Sequence, residues 1–347
     1  MSKWGARFGL KLSRRTWIRL LGIVAVVATF VTVAVVVQGF DVKQTPVNNA
    51  SLWVMQNGDG QRYAQVNADL QELDSVNKIE KPSFLVQSTD SVVVFSDGNS
   101  RLVNVNPAQP ADFGDDPTKY ESAPADTKVV QASGSTVAFL SGDGAVSVAT
   151  IDAGKLGIPV TLNPENGPEA KDYVADAIAV GSDGMTYIYS AVDKKLRYYS
   201  SAEQKFTDAR DIKNGPSKGD LQLTLAGNKW ALLDKDSGKL WIDGPSSAVS
   251  IKEKVTSETE LQAPTSQGDV VYLALKTGLV SVALSDGKQT FTEASGIPAQ
   301  PREFKNEVFA AWLPAQGTSG TLLNATTSKS TSLSYNEKTP NTDPVPV

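Results

Sequence analysis

The side chains that most enzymes use to move protons and electron pairs are missing here: none of the 347 residues is His or Cys. Ser-His-Asp triads, Cys-His dyads, HExxH zinc sites and thiol redox centres are excluded with them. What remains is chemistry run on carboxylates, Tyr, Ser with Lys, or calcium held by oxygen ligands. Asp234-Lys235-Asp236-Ser237-Gly238 opens like a calcium loop, but its Gly falls one position early and Pro245 stands where a twelve-residue loop needs Glu. It reads as a hairpin turn, as do Asn57-Gly58-Asp59-Gly60 and Gly142-Asp143-Gly144, which lack a phosphate-loop context. Asp115-Asp116 with Glu121 and Asp126 offers an acidic rim for a cation, against the simpler reading of solvated charge. Glycoside hydrolysis needs only two carboxylates, about 5 Å or about 6.5–9.5 Å apart. With 38 Asp and Glu, the sequence selects no pair.

Aromatic residues give a sharper test of sugar chemistry. Tyr187, Tyr189, Tyr198, Tyr199, Trp230, Trp241 and Trp312 sit inside strand-like runs, where packing between sheets is the default use of a large ring. Sialidase-type repeats carry Ser-x-Asp-x-Gly-x-Thr-Trp and clustered Arg; Ser182-Asp183-Gly184-Met185-Thr186-Tyr187 lacks that spacing. No residue is assigned a catalytic, cofactor-binding or metal role, and no cofactor is expected.

The elements around these residues repeat. Ser91 to Phe95 turns at Ser96-Asp97-Gly98 into Leu102-Val103-Asn104-Val105, and Lys229 to Leu233 turns at Asp236-Ser237-Gly238 into Leu240-Trp241-Ile242. Trp53, Val93, Val137, Tyr187, Trp230, Val271 and Phe309 mark seven such hairpins, separated by 40, 44, 50, 43, 41 and 38 residues. An apolar strand precedes most of them, as at Phe84-Leu85-Val86, Val129-Val130, Ala177 to Val180, Leu221 to Leu223 and Leu261. A weaker edge strand follows at Phe206 and Phe291. Short strands recurring every 40 to 50 residues predict an all-β fold, a β-propeller of seven blades over residues 51–324. Without Cys, closure into a ring is what would keep its sheet edges covered. The Pro- and acid-rich connections, Pro107 to Pro124, Leu162 to Lys171, Asp211 to Gly219 and Ser246 to Glu260, are where a propeller would bind ligands.

The flanks read differently. Leu20 to Val37 holds no charge and no amide, and the uncharged stretch of residues 20–40 would span about 30 Å as a helix, enough for one transmembrane crossing. The run is longer than a signal-peptide core and lacks a small-x-small exit, so an uncleaved anchor is expected. Ser13-Arg14-Arg15-Thr16-Trp17-Ile18-Arg19 is similar to a twin-arginine signal, but Trp17 and Arg19 depart from it. Arg14, Arg15 and Arg19 read as topology determinants that place residues 1–19 in the cytoplasm and touch anionic lipid. Residues 41–50 make a polar spacer. Residues 325–347, rich in Ser and Thr and ending Thr339-Pro340-Asn341-Thr342-Asp343-Pro344-Val345-Pro346-Val347, read as a linker or tail to a further segment. Six of the 33 Lys and Arg and none of the 38 acids precede Asp41, so the exported part carries about eleven net negative charges. Such a surface repels a phosphate backbone, which argues against a nucleic-acid partner.

Together, Arg14-Arg15, Leu20 to Val37, Leu52-Trp53-Val54, Asn57-Gly58-Asp59-Gly60, Arg62-Tyr63 and the Asp-Pro-Val-Pro-Val ending resemble the N-terminal region of large actinobacterial cell-envelope proteins. Those proteins carry immunoglobulin-like or fibronectin type III repeats after a membrane anchor and a propeller-like region. The resemblance implies a plasma-membrane, single-pass location with the bulk of the chain outside, and an envelope protein or polysaccharide as partner. The sandwich repeats themselves are absent from this sequence. A non-catalytic binding or assembly platform is the expectation, with a carbohydrate-binding or carboxylate-dependent glycoside hydrolase as the alternative.

Overall fold

The structure, a computed structural model, describes residues 52–56, 61–67, 72–88, 91–164, 173–244, 248–314 and 319–334. The proposed span and its flank, Arg14, Arg15, Arg19, Leu20 and Val37, the spacer, the Asn57–Gly60 turn and the final Pro-rich residues lie outside them. Among the described residues no helix is long and apolar enough to cross a membrane.

Seven antiparallel sheets follow one another along the chain and make a seven-bladed β-propeller. The marked hairpins are all present: Leu52–Gln56 with Arg62–Asn67, Ser91–Ser96 with Arg101–Val105, Thr136–Ser141 with Val146–Asp152, Met185–Ser190 with Lys195–Ser200, Lys229–Asp234 with Lys239–Ile242, Val270–Leu275 with Gly278–Ala283, and Glu307–Leu313 with Ser319–Asn324. In the second to seventh sheets the strand before the hairpin is innermost. Pro82–Ser88, Thr127–Ser133, Ala177–Val180, Leu221–Ala226 and Glu260–Leu261 abut from sheet to sheet around the ring. The first sheet has three strands among the described residues, and the third and seventh each gain a fifth because one strand is broken in two.

Burial explains why the second strand of a blade is an unbroken apolar run. All six residues of Ser91–Ser96 are buried. Because neighbouring residues point to opposite faces of a sheet, Val92 and Val94 pack toward the first sheet while Val93 and Phe95 pack toward the third. Leu232 and Leu233 divide in the same way, Leu232 between the fourth and fifth sheets and Leu233 between the fifth and sixth. Among the described residues six buried clusters of this kind join the seven sheets in sequence.

Turn chemistry fixes the hairpins. Gly278 sits at φ +152°, and a Cβ there would lie 2.3 Å from the Thr292 carbonyl, so only Gly fits. Asp234 Oδ1 accepts from the Asp236 and Ser237 amides at 3.0 and 3.4 Å, and Oδ2 from the Ser237 hydroxyl at 2.6 Å, making this acid a turn cap. The seventh sheet runs past Asn324, the expected end of the domain: Lys329–Ser334 pairs with Ser319–Asn324 as its outermost strand. Ser and Thr suit an outer edge, where one face meets water and the β-branched Thr favours extended backbone.

Leu232→Ala and Leu233→Ala should each lower unfolding stability by about 2–5 kcal/mol, since each opens a cavity in a filled junction. Urea titration followed by Trp fluorescence checks this; a loss below about 1 kcal/mol at either position would mean that its junction is not close-packed.

Candidate functional site

The inner strands carry backbone amides on an edge that no further strand covers, and the molecule satisfies them in two ways. In sheets five to seven the backbone at and just beyond the ends of the inner strands bonds directly from sheet to sheet: Thr265 N to Leu225 O at 2.9 Å, Gly227 N to Thr265 O at 3.1 Å, and Ala263 N to Pro301 O at 2.9 Å. Side-chain amides serve as well. Gln222 Oε1 accepts from Leu261 N at 2.8 Å, Gln300 Nε2 donates to Leu261 O at 3.1 Å, and Gln87 Oε1 accepts from Trp53 N at 3.1 Å. The ring is thereby drawn in to a cavity of about 150 Å³ among the inner strands of sheets three to seven. Its lining is aliphatic apart from Gln131, Asp176, Asp220, Gln222 and Gln300, and it contains no aromatic side chain.

Beside this cavity lies the most buried ion-pair network. The Lys235 side chain, 7 % exposed, folds in from the hairpin turn to donate to the Ser257 carbonyl at 3.1 Å, with Asp220 at 3.7 Å and Glu260 at 3.9 Å. Gln222 Nε2 donates to Glu260 Oε2 at 3.3 Å. Burial pushes the Glu260 carboxyl above its ordinary range, and the attraction of Lys235 only partly offsets this. The sequence reads Lys235 as a hairpin-turn residue and Glu260 as the end of the 246–260 connection, and gives Gln222 no role. The signal for Gln222 is a polar residue inside an apolar inner strand, as in Leu221-Gln222-Leu223.

The acidic rim does not assemble as a cation site. Asp116 accepts from the Thr118 amide and hydroxyl at 3.0 and 2.7 Å, which caps a 3-10 turn at Pro117–Lys119 and holds its carboxyl below the usual range. Glu121 accepts from Asn104 Nδ2 at 3.0 Å. Among the described residues no three acidic side chains are grouped to hold a metal. The connection itself is a strap from the second sheet onto the first. Tyr63 Oη donates to Ala111 O at 2.6 Å, Tyr120 Oη donates to Gly114 O at 2.6 Å, and Lys78 N donates to Asp112 Oδ1 at 2.7 Å. Burial pushes Tyr63 up to about 12.

The aromatic residues pack between sheets, as their strand positions imply. Tyr189 and Trp312 are 0 % exposed; Tyr187, Tyr199, Trp230 and Trp241 are buried as well. Trp312 Nε1 donates to Leu275 O in the sixth sheet at 2.7 Å, Trp241 Nε1 to Asn214 O at 3.1 Å, and Tyr189 Oη to Pro216 O at 2.6 Å. The last two tie the 211–219 connection down. A wider groove of about 530 Å³ runs between the second and third sheets, lined in part by Ser88, Ser91, Asn106 and Lys155, with no acid or aromatic residue among the described lining. Neither of these two cavities offers a carboxylate pair beside an aromatic platform among its described lining residues.

No family model matches this sequence, and no curated protein does. Solved structures share its fold. Apo AztD from Citrobacter koseri superposes with a TM-score of 0.54 at 11% identity, over 82% of this chain and 96% of that one. A catalytically inactive histidine-to-alanine variant of virginiamycin B lyase from Staphylococcus aureus, solved with quinupristin, gives 0.51 at 11% identity over 85% and 92%. KlHsv2 with its loop 6CD replaced by a Gly-Ser linker gives 0.51 at 8% identity over 80% and 92%. At these identities the likeness extends to the fold alone.

The raised Glu260 carboxyl has a signed consequence. The folded state binds its proton more readily than the unfolded chain does, so this group adds stability as pH falls from neutral toward the ordinary carboxylate range of about 4.3. Melting temperatures of wild type and Glu260→Gln between pH 7 and pH 4 should diverge toward acid, with wild type gaining relative to the variant. Parallel curves would show that Glu260 titrates normally.

Proposed function

We propose that this chain is a membrane-anchored, extracytoplasmic β-propeller that works as a non-catalytic binding and assembly platform at the cell envelope. The observation that carries the non-catalytic reading is the small cavity among the inner strands of sheets three to seven. The central cavity of about 150 Å³ is too small for a polysaccharide segment, and its lining lacks the aromatic surface on which sugar rings stack. Likeness to virginiamycin B lyase brings no activity with it. A His-to-Ala change inactivates that enzyme, and this chain has no His. Function then falls to the outer turns and rim, where a rigid ring presents fixed surface to a protein partner. Ile158, 91 % exposed, and Val192, 81 % exposed, are the most exposed large apolar side chains among the described residues.

The anchor rests on sequence: the uncharged Leu20–Val37 run and the basic flank with Arg14, Arg15 and Arg19. With it go the plasma-membrane location, contact with membrane lipid, and the resemblance to actinobacterial envelope proteins. The acidic balance of the rest keeps nucleic acid out of the list of partners.

Two measurements test this reading. Membrane fractions washed with alkaline carbonate should retain the chain, and reversing Arg14, Arg15 and Arg19 to Glu should change which side of the membrane protease reaches; release by carbonate would remove the anchor. The detergent-solubilised chain should capture an envelope protein and liberate no reducing sugar from envelope polysaccharide. Ile158→Asp and Val192→Asp should leave stability within about 0.5 kcal/mol of wild type while lowering capture. Sugar release at an appreciable rate would overturn the platform.

A further inference from the structure

The strand that opens the first sheet's hairpin is poorly covered. In other sheets the equivalent strand is buried almost throughout, as at Ser91–Ser96, Thr136–Ser141 and Lys229–Asp234. Leu52–Gln56 instead buries only Trp53 and Met55, and Leu52 is 52 % exposed. Among the described residues no strand lies inside Leu52–Gln56, whereas each later sheet begins with an inner strand. The Trp53 amide, which points to that inner edge, is met by the Gln87 side chain of the second sheet at 3.1 Å. Among the described residues no buried cluster joins the seventh sheet to the first.

Strand order says what belongs there. From Pro82 onward the chain runs inner strand, hairpin, outer strand, and each outer strand leads into the inner strand of the next sheet. At 79–81, 123–126 and 294–296 that step takes only three or four residues. The chain enters this cycle at a hairpin, Leu52–Gln56 with Arg62–Asn67, and its last described strand, Lys329–Ser334, is the outer strand of the seventh sheet. In a ring the sheet after the seventh is the first. The step after Ser334 therefore leads to an inner strand for the first sheet, and residues 335–338 match the short connections in length.

The sequence of residues 339–347 suits that place. Its prolines, Pro340, Pro344 and Pro346, all fall on even positions. Alternate residues of a strand turn their N–H groups to opposite edges. All three missing donors thus share one edge, and Thr339, Asn341, Asp343, Val345 and Val347 keep theirs on the other. An innermost strand pairs on one edge only and turns the other to the ring centre, the kind of edge to which Pro is confined in sheets. Steric clash with each Pro also favours extended backbone at Thr339, Asp343 and Val345.

We infer that the inner edge of Leu52–Gln56 is a strand-binding site and that its occupant is the chain's own segment 339–347, paired through its odd-numbered residues. Seated there, the segment takes over the Trp53 amide from Gln87 and closes the ring with both ends of the propeller sequence in one sheet. The inference is independent of the membrane anchor and of which protein the outer surface holds, and each can fail without the others.

The test is thermal melting of the full chain in detergent. Deleting residues 335–347 should lower the melting temperature by about 3 °C or more, and a synthetic peptide of residues 339–347, added in excess, should restore it. Val345→Pro removes a donor from the pairing edge and should cost as much as the deletion. Thr342→Pro removes one from the edge facing the ring centre and should stay within about 1 °C of wild type. If the deleted chain does not fold, the two Pro variants carry the test alone, with the same difference expected. Deletion without a change in melting temperature overturns the site, and equal losses in the two Pro variants overturn the pairing. A larger drop on deleting residues 42–49 than on deleting 335–347 gives the edge to the chain before Leu52 and overturns the occupant.

Discussion

A sheet that is apolar on both faces has to be covered on both faces, and the rest of this structure follows from that requirement. The second strand of each blade sends alternate side chains to the preceding and the following sheet, so no blade can bury its own apolar surface. Ser91–Ser96 is the clearest case, with six buried residues in a row. Stability is therefore shared between neighbours, as in other repeat architectures. Without a disulfide to cross-link the chain, it rests on the filled junctions between neighbouring sheets, six of them among the described residues.

Stacking sheets around an axis creates a second demand at the centre, where the innermost strands face one another with one edge unpaired. A buried backbone amide without a partner costs about as much as a lost hydrogen bond. Sheets five to seven meet this demand in part by direct backbone bonds at the ends of their inner strands, and Gln222, Gln300 and Gln87 meet it with side-chain amides. Both solutions draw the ring inward. The cavity among the inner strands of sheets three to seven is about 150 Å³, and this bears on function: it has no room for a polymer.

The hairpins were legible in the sequence because they combine two local signals, an apolar run and a Gly- or Asp-containing turn, at a period near 43 residues. Lys329–Ser334 was not, because a Ser- and Thr-rich edge strand has the composition of a linker and only its pairing with Ser319–Asn324 distinguishes it. The 107–120 connection likewise has the composition of a solvated acidic loop. It is a strap because Tyr63 and Tyr120, far from it or at its end, offer hydroxyls that meet its backbone. Lys235 reads as a turn residue and is one, yet its ammonium lies buried among groups up to 25 residues away in sequence.

What the sequence alone determined is set by composition and by spacing along the chain: the exclusion of His and Cys chemistry, the acidic balance, seven strand hairpins, and the uncharged run at Leu20–Val37. These depend on residues within a few positions of one another, or on counts. What only the tertiary structure decided depends on which distant residues share a volume: that the aromatic side chains are consumed in packing, and that Asp176 and Asp220, beside the inner strands of the fourth and fifth sheets, come to one cavity of about 150 Å³. Sheet closure brings together inner strands separated by one to four repeat lengths, and no local pattern encodes that distance.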